Sequence, residues 1–368
     1  MKKLYLGIIM LVAALGLVSC NLQAGDKISF TSLPQPVYTA GHDEAAFKDA
    51  IKISVNGGAE MSLTDAEKFS NIVISGIELD EPGEHVLVVV YNNVSLTYKY
   101  QVVATEGTEV STAAELKEAL AAKAAIIEIK ADIADTTRFE VIAPVTIYGN
   151  GHSVKVSGSQ DSRAFNIQEQ TAGTFAFYDL EVICESTQSG TRGISLYDNQ
   201  NIKLVLDNVS IFNERYYALN IAGLNDNIEV VMKNGSTAGG YCAINWWASN
   251  STLKVYDSEL HGDNIHAYGN SNDFGVVVLN AQEGNDGSNN TCTFENVTLT
   301  ATTTHGNTEY CVILQDFSDG GKLMANNEVS FNNCTFNQAE YEGELSPLYG
   351  FWVESSNTVY VDGEKVSK

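Results

Sequence analysis

The sequence is short of proline, of basic residues and of long apolar runs. Five prolines in 368 residues, against 17 tyrosines and 14 phenylalanines, lean the chain towards strands. Lysine and arginine number 21 against 46 aspartates and glutamates, a net charge of −25. The arginines are only Arg138, Arg163, Arg192 and Arg215. Such a surface repels nucleic acid and anionic lipid, and it disfavours an acidic polysaccharide unless divalent cations bridge the two. The apolar run over residues 4–17 is too brief to span a bilayer comfortably and follows Lys2 and Lys3, so it reads as part of a targeting segment. With 44% apolar and 18% charged residues, the remainder has enough to bury for a folded core, and its length points to two domains.

The targeting run ends in Leu17-Val18-Ser19-Cys20, which resembles a bacterial lipobox. The resemblance implies cleavage before Cys20 and acylation of that residue. It implies a protein of the bacterial cell envelope, extracytoplasmic, held at the outer membrane or cell surface by acyl chains rather than by a helix. Residues 1–19 are then the signal peptide and residues 20–26 a polar tether; loss of the two lysines takes the net charge to −27. Five cysteines remain, so at least one is unpaired in any compartment.

Residues 27–104 read as short strands at 27–30, 51–55, 72–74, 85–91 and 95–103, divided by Asn56-Gly57-Gly58, Pro82-Gly83 and Asn92-Asn93. The last pair joins two alternating runs, as in a hairpin. The expectation is a small β-sandwich. Pro82-Gly83-Glu84-His85-Val86 with Tyr98-Lys99-Tyr100-Gln101-Val102 resembles the end of a bacterial Ig-like domain, which implies a spacer or adhesive module.

Residues 105–368 carry a recurring phrase: apolar, any, apolar, any, Asn or Asp, any, any, apolar. Its clearest copies are 204–211, 292–299 and 329–336. Before them, Thr112 and Glu115 have capping-box spacing for a helix to about residue 123, which would cover an otherwise open sheet edge. The apolar residues two before the Asx position are Ile147, Phe177, Leu206, Met232, Val255, Phe294, Phe331 and Val361, 23 to 39 residues apart. The column itself reads Gly149, Asp179, Asn208, Asn234, Asp257, Asn296, Asn333 and Gly363. These residue types tolerate a left-handed backbone at a tight bend, and stacked amides bond from rung to rung. A second strand precedes each phrase, so the period describes a solenoid. The stretch 147–154, Ile-Tyr-Gly-Asn-Gly-His-Ser-Val, resembles the first rung of the right-handed parallel β-helix, the fold of pectate lyases. The fold class is therefore read as all-β: an Ig-like β-sandwich, then a right-handed parallel β-helix with a short N-terminal capping helix.

That fold hosts many functions, so activity must be read from a site. Pectate lyases of this fold use a carboxylate cluster for calcium, and polygalacturonase-like hydrolases use Asp-Asp and Gly-His-Gly. This chain has neither of those two motifs, and His152 falls inside the structural first rung. Aligning the second strands puts Arg163, Arg192 and Tyr217 in one column, with Arg215 two residues upstream of Tyr217. Asp198, Trp246 and Trp247 lie near the other end. Together these would line a groove for a glycan, rings stacking on sugar faces and polar groups fixing hydroxyls. The plainer alternative is a set of solvated side chains with Trp246 turned into the core.

Residues 261–266 hold two histidines and an aspartate but match no metal motif, and they read as a surface loop. Residues 282–287 are rich in calcium-friendly oxygens but lack alternating acidic ligands. No cofactor is expected, and calcium is the nearest approach to one. Cys242 and Cys311 are read as sharing a column two rungs apart, about 9–10 Å, beyond disulfide reach. All five cysteines are expected to be unpaired and mostly buried.

The favoured expectation is a lipid-anchored, adhesin-like protein that binds a polysaccharide or a host-surface glycan or protein without catalysis. The alternative is a lyase or hydrolase working in the groove near Arg163, Arg192 and Tyr217. A third is a structural or assembly component.

Overall fold

A computed structural model describes residues 26–33, 37–81, 83–103, 107–158, 162–185, 190–263, 274–281, 285–302, 309–314, 324–338, 348–350 and 356–366. The chain divides into two compact units between Glu106 and Gly107.

The first unit has two sheets. Ile28–Ser32, Lys52–Val55 and Met61–Ser62 form one; the other runs in the order Val37–Thr39, Val94–Val103, Gly83–Tyr91 and Ile72–Ser75. Asn92 and Asn93 both take positive φ, 44° and 82°, and close the hairpin that pairs Tyr91 with Val94. Phe47, Ile51, Ile53, Leu63, Leu87 and Val89 are fully buried. The Tyr100 hydroxyl enters this core with both bonds made, donating to the Gly76 carbonyl at 2.9 Å and accepting from the Glu78 N–H at 2.6 Å. Two short helices, Glu44–Ala50 and Leu63–Ala66, stand where strands and turns alone were expected. Asp43 and Ser62 cap them by accepting from Ala46 and Asp65, and Phe47 and Leu63 anchor them.

The second unit opens with strand Thr108–Val110, which pairs in parallel with Ile126–Ile129, and helix Ala113–Ala121 follows it. Its capping box is complete: Glu115 accepts from the Ser111 and Thr112 N–H groups at 2.8 and 3.0 Å, and Thr112 accepts from the Glu115 N–H. Leu116, Ala119 and Leu120 face inward, while Lys117 bonds Asp135 at 2.5 Å. The strands of this unit, Thr108–Val110 included, form one 23-stranded sheet. Its pairings are parallel until a closing antiparallel hairpin, Thr358–Val361 with Glu364–Lys365. Each strand pairs with the corresponding strand one coil later: Phe139–Val141 with Arg163–Gln168, and Arg163–Gln168 with Arg192–Tyr197. Thr146–Tyr148 pairs likewise with the first half of Gly173–Glu185, and Ser153–Ser157 with its second half. Three strands per coil, stacked this way, are compatible with a solenoid.

We refer to three faces by the strands that begin them, Phe139–Val141 (first), Thr146–Tyr148 (second) and Ser153–Ser157 (third). Inward positions stack apolar on apolar along the coil, as in Phe177, Leu206, Met232, Val255, Phe294 and Phe331. The Phe294 and Phe331 rings stack at 4.8 Å.

The corner between second and third faces is a single left-handed residue: Asp179, Asn208, Asn234, Asp257, Asn296 and Asn333, with φ between 46° and 56°. Their side chains bond along the axis, Asn208 to Asp179 at 2.8 Å, Asn296 to Asp257 at 2.9 Å and Asn333 to Asn296 at 2.7 Å. At the first coil the left-handed bend falls on Asn150, one residue past the expected Gly149, whereas at the last coil Asp362 and the expected Gly363 are both left-handed, with φ of 48° and 80°. Gly149 serves a different need: a Cβ on it would lie 2.3 Å from the Asp179 carbonyl oxygen.

The corner between first and second faces holds a ladder that the repeat phrase did not reveal. Asn201, Asn227, Asn250, Asn289 and Asn326 are all left-handed there. Just inside it, buried amides satisfy the irregular backbone of this corner. Asn199 donates to the Ile167 carbonyl at 3.0 Å, and Asn290 to those of Ala248 and Gly287 at 2.7 and 2.9 Å. Asn327 accepts from the Asn290 N–H at 2.8 Å.

Candidate functional site

The register brings Arg163, Arg192 and Tyr217 together on the outward side of the first face, in successive coils. The Arg192 guanidinium lies 5.0 Å from the centre of the Tyr216 ring and donates to the Gly190 carbonyl. Tyr216 lies 3.7 Å from Tyr217 and parallel to Tyr241 at 6.1 Å. Neither Tyr216 nor Tyr241 was singled out in the sequence. Tyr217, Tyr241, Cys242, Val278, Tyr310 and Ile313 form an apolar cluster of their own, outside the main core. Arg215 is half-buried beside them, its N–H bonded to Asn213 at 2.9 Å.

This patch is closed, not an open groove. Tyr217 is 6% exposed, and burial, reinforced by Tyr216, pushes its phenol well above the ordinary range. The rings pack on one another, so the expected stacking surface for a sugar is already occupied. The neighbouring outward column, Asn166, Ser195, Asn220 and Asn245, is buried too. Asn220 donates to Ser195 at 3.1 Å and Asn245 to Asn220 at 2.9 Å.

The other expected binding residues serve the fold. Asp198 is a left-handed turn residue whose carboxylate accepts from the Leu224 N–H at 2.6 Å, and a Cβ on Gly223 would collide with it. Trp246 is fully buried in the core, and its indole N–H has no acceptor among the described residues. Trp247 is half-buried on the opposite side, and its carbonyl accepts from Asn285 at 3.4 Å. In the oxygen-rich stretch, Asn285 donates to the Gly223 and Asn225 carbonyls, and both Asn285 and Asp286 accept from the Ser249 hydroxyl. These oxygens staple a turn; residues 282–284 lie outside the described residues. His261 is exposed, 3.4 Å from the Thr302 hydroxyl, and residues 264–266 lie outside the described residues, as does Cys20. Among the described residues no group of three His, Cys, Asp or Glu is placed to hold a metal ion.

The cysteine alignment is corrected by one residue. Ile244 pairs with Val277 and Gly275 with Tyr310, which sets Cys242 beside Gly275 and puts Tyr310, not Cys311, in its column. Cys242 faces outward into the tyrosine cluster, whereas Cys311 faces the main core. Among the described residues no disulfide joins the five cysteines. Burial pushes the Cys184 thiol up to about 11 and Cys292 up to about 12.

The second face offers a site that the sequence did not suggest. A groove of about 560 Å³ crosses four coils there. Its floor is the outward column Thr174, Lys203, Glu229 and Thr252, placed side by side by the register, and one wall carries Asn201, Asn227 and Asn250. The Glu229 carboxylate accepts from Lys254 at 2.8 Å and pairs with Lys203 at 3.3 Å. The Lys254 hydrogen bond holds its pKa below the usual carboxylate value against the opposing pull of burial, with Lys203 assisting. The asparagine ladder changes step at this wall. Asn227 donates to Asn201 at 2.6 Å, but Asn250 reaches to Asp226 at 2.7 Å, which leaves the Asn227 side-chain carbonyl outside the ladder.

Comparison with known protein families, with curated proteins and with solved structures finds no match for this chain.

Proposed function

We propose that the chain is a lipid-anchored envelope protein that binds a polysaccharide or host-surface glycan on the flank of its coil without catalysis. In this reading the second unit is a right-handed parallel β-helix of the pectate lyase-like kind, the first unit is an Ig-like spacer, and acylated Cys20 tethers both to the membrane. The observation that carries the reading is the open groove of the second face, where asparagine side chains repeat on one wall and threonine hydroxyls stand at the two ends of the floor. Concave sites that present a few convergent polar groups are where small polar ligands bind. The excess of 46 acidic over 21 basic residues supports display away from nucleic acid and anionic lipid.

A glycan array with the soluble form lacking residues 1–20, followed by product analysis of every hit, tests this. Binding without turnover is the expected result. Turnover would make the protein a lyase or hydrolase, and an array without hits would leave the structural or assembly role.

A further inference from the structure

We infer that the groove of the second face takes a neutral, linear glycan laid along the coil axis, held chiefly by Thr174, Asn227 and Thr252. The inference rests on the glycan-binding reading above and gives it a site, a direction and a charge class.

The charge class follows from the floor. The two charges lining the groove, Lys203 and Glu229, are paired with each other at 3.3 Å, and Lys254 adds a second bond to the same carboxylate. Two ammonium groups share this one carboxylate, so a uronate would compete with Glu229 for them, and it would approach a chain of net charge −25. A cationic polymer meets the same obstacle with the sign reversed. What remains unengaged is neutral. Among the described residues no side chain donates to the Asn227 carbonyl oxygen, and the Thr174 and Thr252 hydroxyls have no intramolecular partner. These groups accept or donate one hydrogen bond at a time, which suits sugar hydroxyls.

The direction follows from the register. Thr174, Lys203, Glu229 and Thr252 occupy one column in four successive coils, a span of about 14 Å at the usual strand spacing. A polymer that repeats its hydroxyls meets an asparagine side chain at successive steps along this axis, at Asn201, Asn227 and Asn250, with threonine hydroxyls at the two ends of the column. An extended peptide would seek free backbone N–H and C=O groups, but the strands under the groove are paired on both sides. The groove lining includes no aromatic ring, so affinity comes from many weak bonds and grows with polymer length.

Affinity electrophoresis of the full chain in detergent, through gels holding β-glucan or galactomannan as neutral polymers and polygalacturonate as the acidic one, tests the inference. The expected result is retardation by a neutral polymer and none by polygalacturonate. Filling the groove with Thr174→Leu and Thr252→Leu, which removes both hydroxyls and adds bulk without a sugar-stacking ring, should weaken retardation at least tenfold with an unchanged melting temperature. Asn227→Gly, which keeps the left-handed backbone, should weaken it about threefold to tenfold. Undiminished retardation of the filled variant would overturn the groove while leaving glycan binding in place. Stronger binding to polygalacturonate would overturn the charge class. A parent chain retarded by none of the three polymers would sink both the inference and the broader reading.

Discussion

The first and second faces are built on the same coils and the same parallel hydrogen bonding, yet they present opposite surfaces. On the first, Tyr216, Tyr217 and Tyr241 pack ring on ring and Asn220 and Asn245 are buried beneath the outward side. On the second, the outward column stays wet, with charges paired along it at Glu229. The backbone cannot tell the two apart. In a stacked coil the inward positions are spent on the core, so chemistry is written only in the outward columns and in the corners.

The contrast is sharpest for removal of bulk. Trp246→Ala, inside the coil beneath the first face, should cost about 3–5 kcal/mol, whereas Thr252→Ala on the open face should stay within about 0.5 kcal/mol. Urea denaturation of the two variants measures both, and equal losses would erase the distinction. Next come the amides at the corner between the faces. Asn290→Ala strands the Ala248 and Gly287 carbonyls and should cost about 1–3 kcal/mol. The adjacent Asn289→Gly keeps an exposed left-handed bend and should cost only a few tenths.

Thiol reactivity should follow the same inside–outside order. Cys334, half-buried, should be alkylated in the native protein before Cys184 and Cys292, whose thiols burial keeps protonated. Mass mapping of iodoacetamide adducts at pH 8 would show it, and early labelling of Cys292 would contradict the fold. The smallest effect lies on the third face. Burial alone would raise the Asp135 pKa, but Lys117 and the Thr136 and Thr137 N–H groups outweigh it and hold the carboxyl at about 2. A depressed carboxylate stabilises the fold fully above its unfolded value near 4 and ceases to do so as pH falls to about 2. Asp135→Asn should therefore flatten the melting temperature over that window and leave its slope at higher pH unchanged.

Much of the coil could be read from the residues because each constraint repeats. The capping box at Thr112 and Glu115, the Asx corner from Asp179 to Asn333, and the alignment of Arg163, Arg192 and Tyr217 all follow from strand alternation and from a bend that few residue types tolerate. Where repetition fails, the reading fails with it. At the first full coil the bend moves from Gly149 to Asn150, where close approach to the Asp179 carbonyl claims the glycine. Tyr310 takes the place expected of Cys311, because spacing across the insertion before it does not fix the strand start. Asn201, Asn227, Asn250, Asn289 and Asn326 sit in turns of changing length with no apolar phrase around them. The groove was hidden for another reason. Thr174, Lys203, Glu229 and Thr252 are each ordinary surface residues, and only their register makes them neighbours. Asp198 and Trp246 show why the site was hard to read: a turn and a core use the same residue types as a binding site, and Trp246 lies in the core as the plainer alternative had it.

The asparagine corner between second and third faces also works as a joint of standard gauge. Coils measured between its bends differ from 23 to 39 residues, yet each returns to the same left-handed residue, and amide bonds along the column join Asn208 to Asp179, Asn296 to Asp257 and Asn333 to Asn296. Length can therefore be added or lost elsewhere in a coil without disturbing the pitch of the stack. Whole coils become interchangeable parts: excising the chain from Asn208 up to Asn234 joins one such bend to its equivalent, so a shortened stack should still close.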